Sequence, residues 1–193
     1  RPFVITRAKR HVVQELGGHN ALQAVQAMAQ DLPDRDKELL TTGGVYVGRV
    51  IDEYKGRFGR GDFLIRNVIG VDPESGFVAI SDPQVRIGQT VQFHVRDADA
   101  ATEDLSMLLQ AQRVHGPAAG ALLFSCNSRG RKLFNRPDAD ALMVRDAMGD
   151  VPLAGFFAAG EIGPIGGTSF LHGHTASLIA FRAAAPAPGV PPV

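Results

Sequence analysis

A lone cysteine, Cys126, stands where the apolar run Leu122-Leu123-Phe124-Ser125 gives way to the polar residues Asn127-Ser128-Arg129-Gly130. A thiol can act as a nucleophile when a base lies within hydrogen-bond reach and a third group orients that base. His172 and His174 could serve as the base, with Glu161 or Asp138 as the orienting carboxylate. No local signature of a cysteine hydrolase surrounds Cys126, and a cysteine closing a hydrophobic strand more often behaves as a small buried hydrophobe. The triplet His172-Gly173-His174 raises metal binding, because alternate residues of a strand share a face. A third ligand would have to be Glu161 or Cys126, and two histidines at a strand start serve more often as hydrogen-bonding groups. The reading therefore assigns no catalytic residue, no metal and no cofactor, and expects no enzyme.

A second apolar run, Ala154 to Gly160, ends in Glu161-Ile162-Gly163-Pro164. If this run and Leu122–Cys126 are central parallel strands, their loops share one edge of a sheet, where ligand crevices form. A small site there would include Cys126, Asn127, Arg129 and Glu161, with His172 beside it. The alternative is two buried strands leaving the core through ordinary turns, and composition does not separate the two. Arg66 and Asn67 lie mid-strand, where charge is costly unless paired. The Arg66 guanidinium is expected to meet a carboxylate, either a protein group (Asp97 or Glu161) or one from a ligand. The glycines from Gly160 to Gly167 lack the Gly-Lys-Ser/Thr ending and the dinucleotide spacing, so they read as a tight loop rather than a phosphate cradle.

The elements that must position these groups are read from periodicity and turn residues. Phe3–Thr6 and Arg10–Leu16 read as strands, the second ending at Gly17-Gly18. Asn20 with Gln23 suggests a capped helix whose apolar residues run from Leu22 to Leu32, closed by Pro33. A polar connection follows, with at most a helical turn near Lys37–Leu40. Val45–Val50, Phe63–Val71, Phe77–Ile80 and Val91–Val95 read as strands, the middle two joined in a hairpin by Pro73-Glu74-Ser75-Gly76. Asp97–His115 is the clearest helix, Ala121–Cys126 a strand, Pro137–Met148 a helix and Leu153–Gly160 a strand. Glu161–Thr168 is expected to be a loop and His174–Phe181 the last strand. This order implies an α+β fold: a mixed, largely antiparallel β-sheet with helices packed on it as an α/β sandwich. One domain over 1–182 and a flexible Pro/Ala-rich tail over 183–193 are expected.

Lys+Arg and Asp+Glu both number 20 among 193 residues, so no basic excess favours nucleic acid. The short cluster Arg129, Arg131, Lys132 and Arg136 reads as a solvated loop, with anion contact as the alternative. No apolar run is long enough to span a bilayer, and a single cysteine suits a reducing compartment. A soluble cytoplasmic protein is expected. The first residue, Arg1, suggests a start inside a longer protein.

Five blocks carry a family resemblance: Arg66–Asp72, Gly88–Ala98, Gly120–Gly130, Pro152–Pro164 and Phe170–Ala176. Together, from about Gly17 to Phe181, the chain resembles the C-terminal domain of FIST proteins. The resemblance implies an intracellular sensory domain binding a small ligand, such as an amino acid, for signal transduction. It also implies a partner in an N-terminal FIST half of the same protein, and supplies no catalytic residues. The expected ligand is an amino acid or small carboxylate, held by Arg66, Asn67, Cys126, Asn127, Arg129, Glu161 and His172. The alternative is a protein–protein interaction module of a signalling or F-box-type protein. A cysteine- or metal-dependent enzyme has the least support.

Overall fold

The computed structural model describes residues 1–183, which divide into two compact units. The first comprises Arg1–Ala100 and Ile162–Gly173, and the second Ala101–Glu161 together with the chain from His174. The flexible tail expected from residue 183 falls, beyond that residue, outside the described residues.

In the first unit, β1 (Pro2–Lys9) and β2 (Val12–Leu16) form a hairpin that turns at Arg10, whose φ is 55°. The sequence places Arg10 and His11 in a strand; the left-handed residue makes them the turn. Next come β3 (His19–Asn20), helices α1 (Ala21–Gln30) and α2 (Asp34–Gly43), then β4 (Tyr46–Val50), β5 (Phe63–Asp72), β6 (Phe77–Ile80) and β7 (Thr90–His94). The strands lie in the order β1-β7-β4-β5-β6-β2-β3, with β1 also paired to β2. Six antiparallel strands therefore close into a ring, and β3 extends it beside β2. A small barrel is filled by its own side chains. Phe3, Ile5, Val13, Leu16, Val47, Val78, Ile80 and Val91 form this core.

Helix α1 adds Ala21 and Ala24 to that core, with Leu22, Val25 and Met28 packed around them. Its N-cap is the expected one: Asn20 Oδ1 accepts from the Gln23 amide at 3.3 Å. Asn20 Nδ2 also donates to the Ser75 carbonyl at 2.9 Å, and the Leu22 amide donates to the Gly76 carbonyl at 2.9 Å. A Cβ on Gly76 would collide with the Asn20 side chain, and its φ of 71° is left-handed, so glycine is required there. Instead of one helical turn near Lys37, α2 spans ten residues. Asp34 and Asp36 in its first turn complement the helix dipole, and Arg35 reaches Asp97 and Asp99.

The segment read as a glycine-rich loop is a hairpin of β10 (Glu161–Ile165) and β11 (Thr168–His172). Gly166 and Gly167 have φ of 56° and 83°, the two positive values that a tight hairpin turn demands.

The second unit contains most of α3 (Ala98–Ala111), a 3₁₀ turn (Gln112–His115), β8 (Gly120–Cys126), α4 (Arg131–Phe134), α5 (Ala139–Met148), β9 (Leu153–Ala158) and β12 (Ala176–Phe181). Its sheet runs β12-β8-β9, with β8 and β9 parallel and β12 antiparallel to β8. Leu105, Leu109, Leu123 and Val144 form the core, joined by Met143, Met148, Leu153 and Leu178. On the other sheet face the rings of Phe124 and Phe156 meet edge to face at 5.1 Å, and Phe156, Ile179 and Phe181 are exposed. With a seven-stranded antiparallel sheet, a smaller mixed sheet and five α-helices among the described residues, the fold is α+β, as the sequence implies. Among the described residues, no helix is long and apolar enough to cross a membrane.

Candidate functional site

Because β8 and β9 run parallel, with Cys126 beside Ala158, both end at the same edge of the second unit's sheet. The strand β12 begins at that edge, Ala176 lying beside Ser125. The expected sharing of an edge is met, although β9 is an outer strand rather than a central one. Backbone bonds hold the loops there: the Cys126 amide donates to the Thr175 carbonyl at 2.9 Å and the Asn127 amide to the Ala158 carbonyl at 2.8 Å.

Glu161 is the unusual group of this edge. It is only 2% exposed. Its Oε2 accepts from the Thr175 hydroxyl at 2.9 Å and the Thr175 amide at 3.3 Å, while buried Oε1 has no hydrogen-bond partner among the described residues. A buried acceptor left without a donor typically costs about 1–3 kcal/mol, so such groups mark places where a donor from outside would be gained.

The Cys126 thiol is also buried and accepts from the Ser128 hydroxyl at 3.0 Å. Ser128 Oγ in turn shares a 2.9 Å hydrogen bond with Nδ1 of His174, a residue held at a φ of 66°. That positive φ explains why the last strand starts at Ala176 and not at His174. Ser128 thus bridges the imidazole and the sulfur, whereas a nucleophilic cysteine is paired with its base. Asn127 is exposed beside them.

Arg129 is buried and makes a two-point pair with buried Asp140: Nε to Oδ2 at 2.8 Å and Nη2 to Oδ1 at 2.7 Å. The Phe134 ring lies 5.2 Å from the guanidinium, and the Ser125 hydroxyl donates to the same carboxylate. This charge is neutralised within the protein, so Arg129 fixes its loop. Arg131, Lys132 and Arg136 are exposed, as a solvated loop requires. The sequence reading missed Asp140, which looks like an ordinary first-turn acid of α5. A cleft of about 260 Å³ also lies in this unit, away from that edge, lined by Leu109, Gln112, Pro117, Met148 and Arg182 among others. Arg182 there binds the Gln112 and Gly116 carbonyls, closing the end of the 3₁₀ turn.

Arg66, Asn67 and His172 belong to the first unit. Arg66 meets a protein carboxylate, as expected, but it is Asp82 (Nε to Oδ2 3.8 Å), neither Asp97 nor Glu161. Asp97 pairs with Arg35, and Glu161 with Thr175. Arg66 Nη1 donates to the Leu171 carbonyl at 2.9 Å. Burial lowers the Arg66 pKa, Asp82 opposes the shift and Arg49 adds to it. Asn67 is exposed, its backbone bonded to Ser81. His172 Nε2 donates to the Gly163 carbonyl at 2.8 Å, across the β10–β11 hairpin. Among the described residues, no group of three or more His, Cys, Asp or Glu side chains is placed to hold a metal ion.

The chain is 46% identical over 182 residues to an uncharacterized protein of Mycobacterium bovis, covering 93% of this chain and 47% of that one. It is 44% identical over the same length to an uncharacterized protein of Mycobacterium tuberculosis strain H37Rv, with the same coverage of each. The chain thus spans about half the length of these relatives. The family model for the FIST C domain matches residues 24–164, which include β4 to β9 and with them Cys126, Arg129 and Glu161, and the chain belongs to the FIST C domain family.

Proposed function

We propose that this chain is a sensory domain that binds a small ligand, an amino acid or small carboxylate, without transforming it. Family membership suggests the sensory or signalling role. One observation carries the ligand site: the Glu161 carboxylate, buried and with Oε1 unpartnered, beside Thr175 at the edge where β8 and β9 end. A ligand ammonium would give that oxygen its missing donor in a charge-assisted bond. In this reading Asn127 and Cys126 border the ligand, and Arg129 holds the loop through Asp140. The mediated contact between His174 and the thiol supports binding over nucleophilic catalysis. A cytoplasmic setting suits the lone thiol.

The test is a thermal-shift series on the chain, comparing amino acids with the same acids lacking the amine. Stabilisation by an amino acid beyond that given by the same acid without its amine, with this excess lost in Glu161→Gln, supports the site. At a hundred times the dissociation constant the gain is about 2.7 kcal/mol. Equal response with and without the amine, or an undiminished response in Glu161→Gln, refutes it.

A second reading, an interaction module, is favoured by the exposed Phe156, Ile179 and Phe181 on the second unit's sheet. The partner in that reading is the N-terminal FIST half. Native mass spectrometry of this chain with that half, against Phe156→Ser, tests it; binding unaffected by the substitution excludes this face.

A further inference from the structure

We propose that Arg49 and Arg66, on the first unit's barrel, form a binding site for a small carboxylate. This site is independent of the one at Glu161, which lies outside the first unit.

The pleat and register bring the two arginines together. Arg49 lies opposite Leu64 and Arg66 opposite Val47, so they are diagonal neighbours on one face of the β4–β5 pair. Both side chains turn to Asp82, which follows β6 and is 2% exposed. Asp82 is already well occupied. Its Oδ1 accepts from the Gln84 amide at 2.8 Å and its Oδ2 from Arg49 Nε at 2.8 Å. Arg66 Nε is left 3.8 Å from that Oδ2, beyond hydrogen-bond length.

Two guanidinium charges thus face one carboxylate, a surplus of one positive charge among side chains only 12% and 18% exposed. An uncompensated charge with so little water around it is a standing attraction for an anion.

The geometry names the anion's shape. With Nη1 held by the Leu171 carbonyl, the Nε–Nη2 edge of Arg66 is the one left for an anion. Nε is buried 3.8 Å from Asp82 Oδ2 without a hydrogen-bond acceptor among the described residues, so a carboxylate would take this edge by drawing Arg66 away from Asp82. Arg129 uses that same Nε–Nη2 edge to grip Asp140 through two bonds of 2.8 and 2.7 Å. A planar carboxylate fits such a fork with two parallel bonds, which a spherical halide cannot do. One carboxylate charge would also balance the surplus.

The experiment measures thermal shift and the Arg66 Nε–H resonance while sodium acetate is added, with chloride at matched ionic strength and inorganic phosphate as comparisons. Acetate is expected to give a saturable shift in both readouts that chloride does not. Arg66→Gln should weaken it at least tenfold. Asp82→Asn, which removes the competing carboxylate, should be stabilised by acetate more than the parent chain. Glu161→Gln should leave the response intact. Arg66→Lys guards against misfolding of the glutamine variant: it keeps the charge, loses the fork and should bind acetate no better than chloride. Equal effects of acetate and chloride on the parent chain overturn the proposal, as does tighter binding of phosphate. An acetate response that survives Arg66→Gln, or disappears in Glu161→Gln, overturns it too.

Discussion

His94 should make the first unit acid-labile, and the structure sets the size of the effect. The ring closes β7, packs edge-on against Phe63 at 4.8 Å between centroids, and lies over Gly48, whose missing side chain leaves it room. Nε2 is buried without a hydrogen-bond partner among the described residues. Burial pushes the His94 pKa down to about 4 from 6.5. The fold therefore holds the neutral ring, while the unfolded chain takes up a proton as pH drops below 6.5. Stability from this group is complete above that value and falls as pH falls from 6.5 towards 4. At 1.36 kcal/mol per pKa unit, the whole shift corresponds to about 3 kcal/mol, and about 2 kcal/mol is already lost at pH 5. Both tyrosines, Tyr46 and Tyr54, lie in the first unit and there is no tryptophan, so tyrosine fluorescence in urea reports that unit's unfolding. Free energies at pH 7 and pH 5, for the parent chain and His94→Leu, give a double difference in which other titrating groups cancel. The parent should lose about 2 kcal/mol more than the variant between these pH values. Equal losses, or a native-state titration of His94 near 6.5 by NMR, would refute the reasoning.

Other perturbations test the packing. Gly48→Ala places a Cβ 2.5 Å from His94 Nε2 and 3.0 Å from Phe63 Cβ, and should destabilise the first unit by about 1–3 kcal/mol in the same fluorescence assay. Asp140→Ala leaves Arg129 buried and unpaired, which should cost the second unit about 3–5 kcal/mol, read as lost hydrogen-exchange protection in β8. Gly155→Ala drives a methyl into the Leu123 main chain across the parallel pair, and those amides should exchange faster there too. Asn20→Ala should cost about 1 kcal/mol by removing the α1 cap, and Gly76→Ala acts through the same side chain. Their double variant should therefore be less destabilised than the two single effects added together, as a urea-unfolding cycle will show.

What the sequence determined by itself was local. The Asn20 cap, the Pro73–Gly76 hairpin, the alternation of β7 and the long α3 each rest on spacing, cap or turn chemistry within a few residues. Those signals sufficed for an α+β fold and for placing Cys126 and Glu161 at strand ends. The Gly166-Gly167 hairpin was also legible, since two adjacent glycines between short strands are a turn signal; its glycine-rich surroundings made it read as a loop. Closure of the barrel was decided elsewhere, because β1 pairs with β7, more than 80 residues away, and no local pattern encodes that partner. The same holds for the charges. Asp82 is separated from Arg49 by 33 residues, and Asp140 from Arg129 by 11 with a turn and a short helix between them. Sequence could state that a mid-strand Arg66 needs a carboxylate. Only the folded register could choose Asp82, bring Arg49 to the same face, and leave Glu161 Oε1 buried without a donor, since burial and partner depend on which strands become neighbours.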